Sequence, residues 1–446
     1  MVNRTEENIK SLTPEIVSTD KLERSKIESS QHLTALSWRQ SIHVGINQGD
    51  TNVKGTYEAS QVVASAKFGT DGSIVFFSSS DNGPKIIQNK DLKENIEKDN
   101  TSGRTPADIL NVQNEVSKHV PVTAGADGKN QRETYLENAK TFVERARSAG
   151  LADQQVSSVF TASLKLLESP NAKVSQPLRI QLAQQIMAES AYPGSIDQGN
   201  HQTCGMSDIE SRTWTKSPAI MANMVAKVAI DGSYTAADGK LITIPPQNLI
   251  PDTEAQVNPP KDGTRSFASQ IIQATMLNDI GQRLATPWYF TQLTPTNSSR
   301  GEFWTDASGT PLTIQAGDRK GQAMEYVGSN PGFLVQEIKR LTGEDGIVFN
   351  HHFDGISDKL TSFKSEAELA QKLLKAKNDG KFPIIISVYG EDPAFGKRDS
   401  GIEKKQDHVV CINDYDPKTS AVLINNSSGS IDDKWIKLDR FYQTTN

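Results

Sequence analysis

The sequence has few cysteines, no long apolar run and no excess of basic residues, and each absence excludes a class of protein. Only two cysteines, Cys204 and Cys411, occur in 446 residues, so the chain has no disulfide framework. No apolar run approaches the roughly 20 residues that cross a membrane. The net charge of −6 and the lack of a basic patch give no reason to expect nucleic acid.

The N-terminal residues also lack the basic and apolar regions of a signal peptide. A reactive thiol and a chain without disulfides both favour a reducing compartment. We therefore expect a soluble protein without a membrane span that is cytoplasmic, or exported without a cleavable signal peptide.

Composition predicts several structural units, because 446 residues are too many for one compact core. Residues 1–130 are polar and without sustained periodicity, so we expect them to be mostly disordered, with one short hairpin at Asp71-Gly72. Residues 131–190 show three amphipathic stripes, which predict a helical module. This module is interpreted as a packed subdomain, with a removable prosegment as the alternative.

The stretch 198–205 contains the first cysteine in a polar setting suited to a nucleophile. Gln198 precedes Cys204 by six residues, so its side-chain amide and the Cys204 backbone N–H are candidates for an oxyanion hole. The apolar residues after Cys204 recur at helical spacing. The sulfur is therefore expected in the first turn of a helix, where the helix dipole favours the thiolate.

A thiol nucleophile needs a base and a group that orients the base. His408 begins a strand-like apolar run, and the next such run ends at Asn425 and Asn426. An asparagine on the neighbouring strand would accept the imidazole N–H and fix the histidine tautomer. Strand alternation places Asn425 and Asn426 on opposite faces, so only one of them meets His408.

These motifs resemble those of the papain-like cysteine peptidases. The resemblance rests on Gln198 six residues before Cys204, on Asp407-His408-Val409, and on Asn426-Ser427-Ser428-Gly429 opposite the family's Asn-Ser-Trp-Gly. It covers the chain from about residue 190 onward. Two residues depart from the family: Gly205 replaces an aromatic residue after the nucleophile, and Ser428 replaces the tryptophan that covers the asparagine.

The resemblance implies a Cys-His-Asn triad with an oxyanion donor. Cys204 would be the nucleophile, His408 the base and later the acid, Asn426 the orienting residue and Gln198 the oxyanion donor. The match of Ser427 and Gly429 to the family selects Asn426 over Asn425.

The implied fold class is α+β, with a papain-like two-layer catalytic domain over residues 191–446. In it, the nucleophile helix packs on an antiparallel sheet that carries the base and the orienting residue. The sequence supports these elements with a capping box at 365–368 and apolar runs at 382–389, 408–412, 421–424 and 434–438.

The remaining cysteine and histidines are interpreted structurally. Cys411 is expected in the core, and His201 is expected to be exposed to solvent, with a place in the substrate cleft as the alternative. Adjacent His351 and His352 are assigned to a solvated loop rather than to a metal site, because no acidic or cysteine cluster accompanies them. We expect no metal and no cofactor.

The sequence therefore predicts a thiol-dependent acyl-transfer enzyme, a cysteine peptidase that hydrolyses peptide or isopeptide bonds in a protein or peptide substrate. One alternative keeps the site but makes the enzyme a glutamine deamidase or transglutaminase. The other is a non-catalytic binding protein on a retired peptidase scaffold, to which the missing aromatic residues point. The oligomeric state is left open.

Overall fold

The computed structural model describes residues 111–445 except 293–300, 317, 327, 329–330, 352–359, 391, 393–394, 396–407, 428 and 430–433; before residue 111 it describes only the backbone of six strands and the start of one helix. The chain forms two compact units, residues 1–114 with 143–160, and residues 115–142 with 161–446. All candidate site residues belong to the second unit. The α+β class is confirmed.

The first unit contains a six-stranded antiparallel sheet in which each strand pairs with the next along the chain. The segments on either side of the predicted hairpin, Val63–Phe68 and Ile74–Ser78, pair antiparallel, while Asp71 and Gly72 themselves lie outside the described residues. The strands are β1 (Gln31–Leu36), β2 (Ser41–Ile46), β3 (Thr51–Lys54), β4 (Val63–Phe68), β5 (Ile74–Ser78) and β6 (Lys85–Ile87). Six strands are therefore present where the sequence predicts one short hairpin, and the rest of residues 1–105 lies outside the described residues. Helix α1 (Pro106–His119) was also missed, although Val112, Val116 and Val120 recur at helical spacing and are buried.

The three helices predicted in residues 131–190 are present as α2 (Gln131–Ser148), α3 (Asp153–Glu168) and α4 (Gln176–Ala191). Helix α4 begins after Ser175 with a proline in its first turn, as the sequence indicates. The Gln185 side chain of α4 accepts a hydrogen bond from the Ala268 N–H at 3.0 Å. Helix α4 thus belongs to the same compact unit as Cys204.

Five further helices and two short hairpins follow. The helices are α5 (Cys204–Lys216), α6 (Pro218–Asp231), α7 (Phe267–Gln282), α8 (Pro331–Thr342) and α9 (Glu366–Asn378). The hairpins join β7 (Ser233–Thr235) to β8 (Leu241–Thr243), and β9 (Tyr289–Gln292) to β10 (Glu302–Thr305). The predicted capping box begins α9, because the Ser365 hydroxyl accepts the Glu368 N–H at 3.2 Å.

A second six-stranded sheet has the order β12-β11-β13-β14-β15-β16. Its strands are β11 (Val348–His351), β12 (Thr361–Phe363), β13 (Ile384–Val388), β14 (His408–Asp416), β15 (Ala421–Asn425) and β16 (Lys434–Lys437), with helix α10 (Leu438–Gln443) at the end. Strands β13 to β16 are antiparallel, but β11 runs parallel to both β12 and β13. The prediction of an antiparallel sheet is therefore wrong at this edge. The chain passes from β12 to β13 through α9, a crossover of the kind that parallel order requires.

Both faces of this sheet are covered by helices, rather than one face as predicted. Leu369 and Leu373 of α9 pack with Val410 and Ile412 of β14 in one apolar cluster. Cys411 lies between those two residues, so its side chain points to the opposite face. There its Sγ lies 3.4 Å from the Asp208 carbonyl oxygen of α5.

Among the residues that the structure describes, no helix is both long and apolar enough to cross a membrane.

Candidate active site

Cys204 is the first residue of α5 and is partly exposed. Its sulfur therefore lies at the positive end of the helix dipole, where the thiolate is favoured. The next residue is glycine for a steric reason. A Cβ atom on Gly205 would lie 2.8 Å from Leu334 Cδ2, and Leu334 is a fully buried side chain of α8.

The loop before Cys204 is held by groups that are distant in sequence. Gly199 has a φ of +63°, and a Cβ atom there would lie 2.9 Å from the Arg265 backbone nitrogen. The Asn200 N–H donates to Glu254 Oε1 at 3.1 Å, and Thr203 Oγ1 donates to Gln273 Oε1 at 2.7 Å. Only glycine satisfies both the conformation and the close approach at position 199.

The structure brings Gln198 to the end of β15. The Gln198 backbone N–H donates to the Ser427 carbonyl at 2.7 Å, and Ser427 Oγ donates to Gln198 Oε1 at 3.1 Å. At the other end of the amide, Gln198 Nε2 donates to the His201 carbonyl at 2.8 Å. An amide nitrogen carries two N–H groups, and the His201 carbonyl accepts one of them.

His408 begins β14, and its Nε2 lies 2.7 Å from Asn426 Oδ1. The amide orientation is set on its other side, where Asn426 Nδ2 donates to the Phe395 carbonyl at 3.5 Å. Because Asn426 presents oxygen to the ring, His408 Nε2 must be the donor. The neutral imidazole then carries its lone pair on Nδ1.

The His408–Asn426 pair is buried, with each residue 2% exposed. The absence of a tryptophan at position 428 leads us to expect a hydrogen bond open to water, and this expectation is wrong. Phe395 lies edge-on to the His408 ring, with ring centres 6.4 Å apart. This phenylalanine, 13 residues before His408, was not identified from the sequence. Position 428 itself, like Asp407, lies outside the described residues.

Asn425 points to the other face of the sheet, as strand alternation predicts. Its Nδ2 donates to the Gly194 carbonyl at 2.6 Å, and Gly194 lies in the short helical turn Pro193–Ser195. The structure thus separates the two asparagines: Asn426 contacts His408, and Asn425 attaches β15 to the segment before Gln198.

The segment that leads into α5 contacts the sheet at the end where strand β14 begins. Strand β15 is antiparallel to β14, so its end at Asn426 lies beside the start of β14 at His408. The Gln198 backbone is bonded to Ser427 at that same end, six residues before Cys204. Farther along, the Asp208 carbonyl of α5 accepts the Cys411 thiol of β14 at 3.4 Å. Cys411 is fully buried, as expected.

Two buried glutamates lie on neighbouring helices, Glu189 on α4 and Glu210 on α5. Ser269 Oγ lies 2.7 Å from Glu210 Oε1 of α5 and 3.4 Å from Glu189 Oε1 of α4. Burial raises the pKa of Glu210 to about 7. Burial, with the charge of Glu210, raises the pKa of Glu189 well above its ordinary value. Like charges in a dry site cannot both ionise easily, so these carboxyls hold protons that surface carboxyls lose.

Two further histidines are placed differently from expectation. His351 lies in β11, is 3% exposed and has Nε2 3.0 Å from Tyr442 Oη, so its assignment to a solvated loop is wrong. His352 lies outside the described residues. His201, expected at the surface, is also 3% exposed. The described part of the chain contains no cluster of histidine, cysteine and acidic residues that could hold a metal ion.

Comparison of the chain with protein-family models, with curated proteins and with solved structures finds no match. The chemistry of the site is therefore argued from its own geometry. The arrangement provides a thiol at a helix N-terminus, a histidine with a fixed tautomer and a positioned amide donor. These are the parts that acyl transfer to a thiol requires.

Proposed function

We propose that this protein is a thiol-dependent acyl-transfer enzyme, a papain-like cysteine peptidase that hydrolyses peptide or isopeptide bonds. Cys204 is the nucleophile, His408 the base and acid, Asn426 the residue that orients His408, and Gln198 the oxyanion donor. The substrate is a protein or peptide, because the bond attacked is an amide.

The observation that carries the proposal is the buried hydrogen bond between His408 Nε2 and Asn426 Oδ1, 2.7 Å long. Here the tautomer is defined by an amide whose own orientation is set by the Phe395 carbonyl. The next residue, Ser427, holds the Gln198 amide, so base, orienting residue and oxyanion donor belong to one bonded assembly.

The reaction follows from these roles. His408 takes the proton of the Cys204 thiol, and the thiolate forms a C–S bond to the substrate carbonyl carbon. The oxygen charge is stabilised by the second Gln198 N–H and the Cys204 backbone N–H. As the C–N bond breaks, His408 gives its proton to the leaving amine. Water, deprotonated by His408, then attacks the thioester, and the C–S bond breaks to release the acid and the thiol.

The glycine after the nucleophile does not favour a retired scaffold. Gly205 is needed because Leu334 of α8 packs against its α-carbon, so the missing aromatic residue has a packing cause. Phe395 likewise supplies an aromatic neighbour for the His408 ring. Both departures from the family pattern that point to lost activity thus have structural explanations.

A mass-spectrometric assay of the full-length protein with a broad peptide library tests the proposal. We expect peptides cut with the gain of one water, by the wild type and by Cys411→Ala but not by Cys204→Ala. Conversion of glutamine side chains to acids, without backbone cleavage, would instead establish a deamidase. A wild type whose Cys204 is alkylated by iodoacetamide but which changes no peptide would support the non-catalytic alternative.

A further inference from the structure

His201 lies in the loop between Gln198 and Cys204 and is clamped by two carboxylates. Its Nδ1 lies 2.9 Å from Glu302 Oε1, and its Nε2 lies 3.1 Å from Asp252 Oδ2. Its side chain is 4% exposed, and those of Asp252 and Glu302 are 6% and 1% exposed. A neutral imidazole donates from one nitrogen only, whereas the protonated ring donates from both. Both ring nitrogens of His201 lie within hydrogen-bond distance of a carboxylate oxygen.

The carboxylates are themselves held in place. Asp252 Oδ2 accepts from Arg265 and from Gln292 Nε2, each at 2.6 Å. Burial raises the pKa of Asp252, but the His201 hydrogen bond and the Arg265 charge outweigh it, and the net pKa is well below the usual range. Glu302 lies in β10, and its second oxygen accepts the Gln202 N–H at 3.2 Å. The ring of His201 is thus fixed by groups on separate parts of the fold.

The backbone of the same residue holds the oxyanion donor. The His201 carbonyl accepts Gln198 Nε2 at 2.8 Å, while Ser427 Oγ donates to Gln198 Oε1 at 3.1 Å. Both ends of the Gln198 amide are therefore fixed. The direction of its remaining N–H depends on where the His201 carbonyl points, and this depends on how the His201 ring is held.

We propose that His201, clamped by Asp252 and Glu302, is a positioning residue that aims the Gln198 amide at the oxyanion. This inference rests on the proposed function, because it assigns an indirect role in the same acyl transfer. His201 touches no reacting atom. It acts through its carbonyl, as outer groups around metal ligands and catalytic residues do.

The alternative is that the clamp only stabilises the loop. Other contacts already serve that purpose, since Asn200 N–H and Thr203 Oγ1 bond to Glu254 and Gln273. The two roles predict different effects of breaking the clamp in a variant that lacks the Gln198 amide. A positioning role must disappear when Gln198 has no amide, whereas a stabilising role persists without it.

A double-mutant cycle between Glu302→Gln and Gln198→Ala tests this distinction. The probe is 4-nitrophenyl acetate, whose acyl transfer to Cys204 needs the oxyanion hole but no substrate specificity. We expect Gln198→Ala to slow nitrophenolate release by about 10²–10³-fold, the usual loss for one oxyanion donor. Glu302→Gln should slow it by about 10-fold or more and leave KM nearly unchanged. The double variant should be no slower than Gln198→Ala alone.

Alkylation of Cys204 by iodoacetamide forms no oxyanion, so its rate should be the same in all four proteins of the cycle. If Glu302→Gln does not fold, His201→Asn replaces it as one of the single variants of the double-mutant cycle. The matched control is Glu337→Gln. Glu337 is another buried acidic residue on α8, and it pairs at 2.9 Å with Arg283, the residue that follows α7. This control should leave nitrophenolate release unchanged.

Multiplicative losses in the double variant, or normal release by Glu302→Gln, would overturn the positioning role while leaving the enzyme intact. A slowing of alkylation in parallel with release would also overturn it, because the clamp would then act on the thiol or on the whole fold. If the wild type releases nitrophenolate no faster than Cys204→Ala, the proposed function itself has failed, together with the inference that rests on it.

Discussion

Asn426 and His408 are joined by a 2.7 Å hydrogen bond that is buried at the open end of two antiparallel strands, while Asn425, one residue earlier, faces the other side of the sheet. The first contact fixes the histidine tautomer, and the second fastens β15 to the segment before Gln198. Two identical side chains in succession therefore have different expected roles.

We predict that Asn426→Ala lowers kcat by about 10²-fold, because the imidazole loses the acceptor that sets its tautomer. Asn425→Ala should lower stability by about 1–3 kcal/mol, the cost of removing one partner of a buried hydrogen bond, with little change in kcat. Steady-state kinetics and urea unfolding of the two variants decide the matter. A larger kcat loss in Asn425→Ala would mean that the site uses the opposite face of the sheet.

The two cysteines should differ strongly in reactivity. Cys204 is partly exposed at a helix N-terminus, whereas Cys411 is fully buried in β14 with its thiol directed at the Asp208 carbonyl. We predict that brief treatment with iodoacetamide near neutral pH labels Cys204 and leaves Cys411 unmodified. Peptide mapping of the folded protein checks this, with Cys204→Ala as the control that should stay unlabelled. Equal labelling of both thiols would remove Cys204 from the proposed role.

The contact between Asn426 and His408 could be anticipated from local rules together with the resemblance to papain-like peptidases, which selects Asn426 over Asn425. Alternation along a strand separates Asn425 from Asn426, and the apolar run after His408 identifies the neighbouring strand. The capping box at 365–368 is of the same kind, because Ser365 and Glu368, which define it, lie three positions apart.

The features that were missed depend on partners far away in sequence. The burial of His201 depends on Asp252 and Glu302, 51 and 101 residues later, which nothing near His201 indicates. Phe395 reaches the His408 ring across residues outside the described part of the chain. Strands β11 and β12 have only four and three residues, too few for a periodic signal. Their parallel pairing depends on tertiary packing rather than on local sequence.

Gly205 should tolerate no side chain unless Leu334 is shortened. A Cβ atom at position 205 would lie 2.8 Å from Leu334 Cδ2, so we predict that Gly205→Ala destabilises the protein by about 1–3 kcal/mol through overpacking. In a Leu334→Ala background the same change fills part of a cavity, and it should cost nothing or stabilise the protein.

Urea unfolding of the single and double variants measures this coupling. Leu341→Ala is the matched control, because Leu341 is also buried on α8 but is not among the atoms nearest a Cβ at position 205. Its effect should add to that of Gly205→Ala. Simple additivity with Leu334→Ala would show that the helix N-terminus shifts to make room, and the packing explanation for glycine would be wrong.

Glu210 should make the protein less stable as the pH rises. Burial raises its pKa from the ordinary value of 4.5 to about 7, so between these values the folded protein keeps a proton that the unfolded chain has lost. The free energy of unfolding therefore falls as the pH rises from about 4.5 to about 7, and it changes little above that range for this group. We predict that Glu210→Gln, which carries no charge at any of these pH values, reduces the loss of stability between about pH 5 and pH 8 by at least ~1 kcal/mol.

The measurement is urea unfolding at these two pH values, and the compared quantity is the difference between them. The glutamine also changes the hydrogen bond with Gln273 Nε2, 3.0 Å away, but that cost is the same at both pH values and cancels. Glu189 remains in the variant, and its raised pKa should leave part of the slope in place. Glu137→Gln, at an exposed site on α2, should keep the wild-type slope. If Glu210→Gln also keeps the wild-type slope, the Glu210 carboxyl is charged in the folded wild type. Glu189 would then be the one member of this pair that holds a proton.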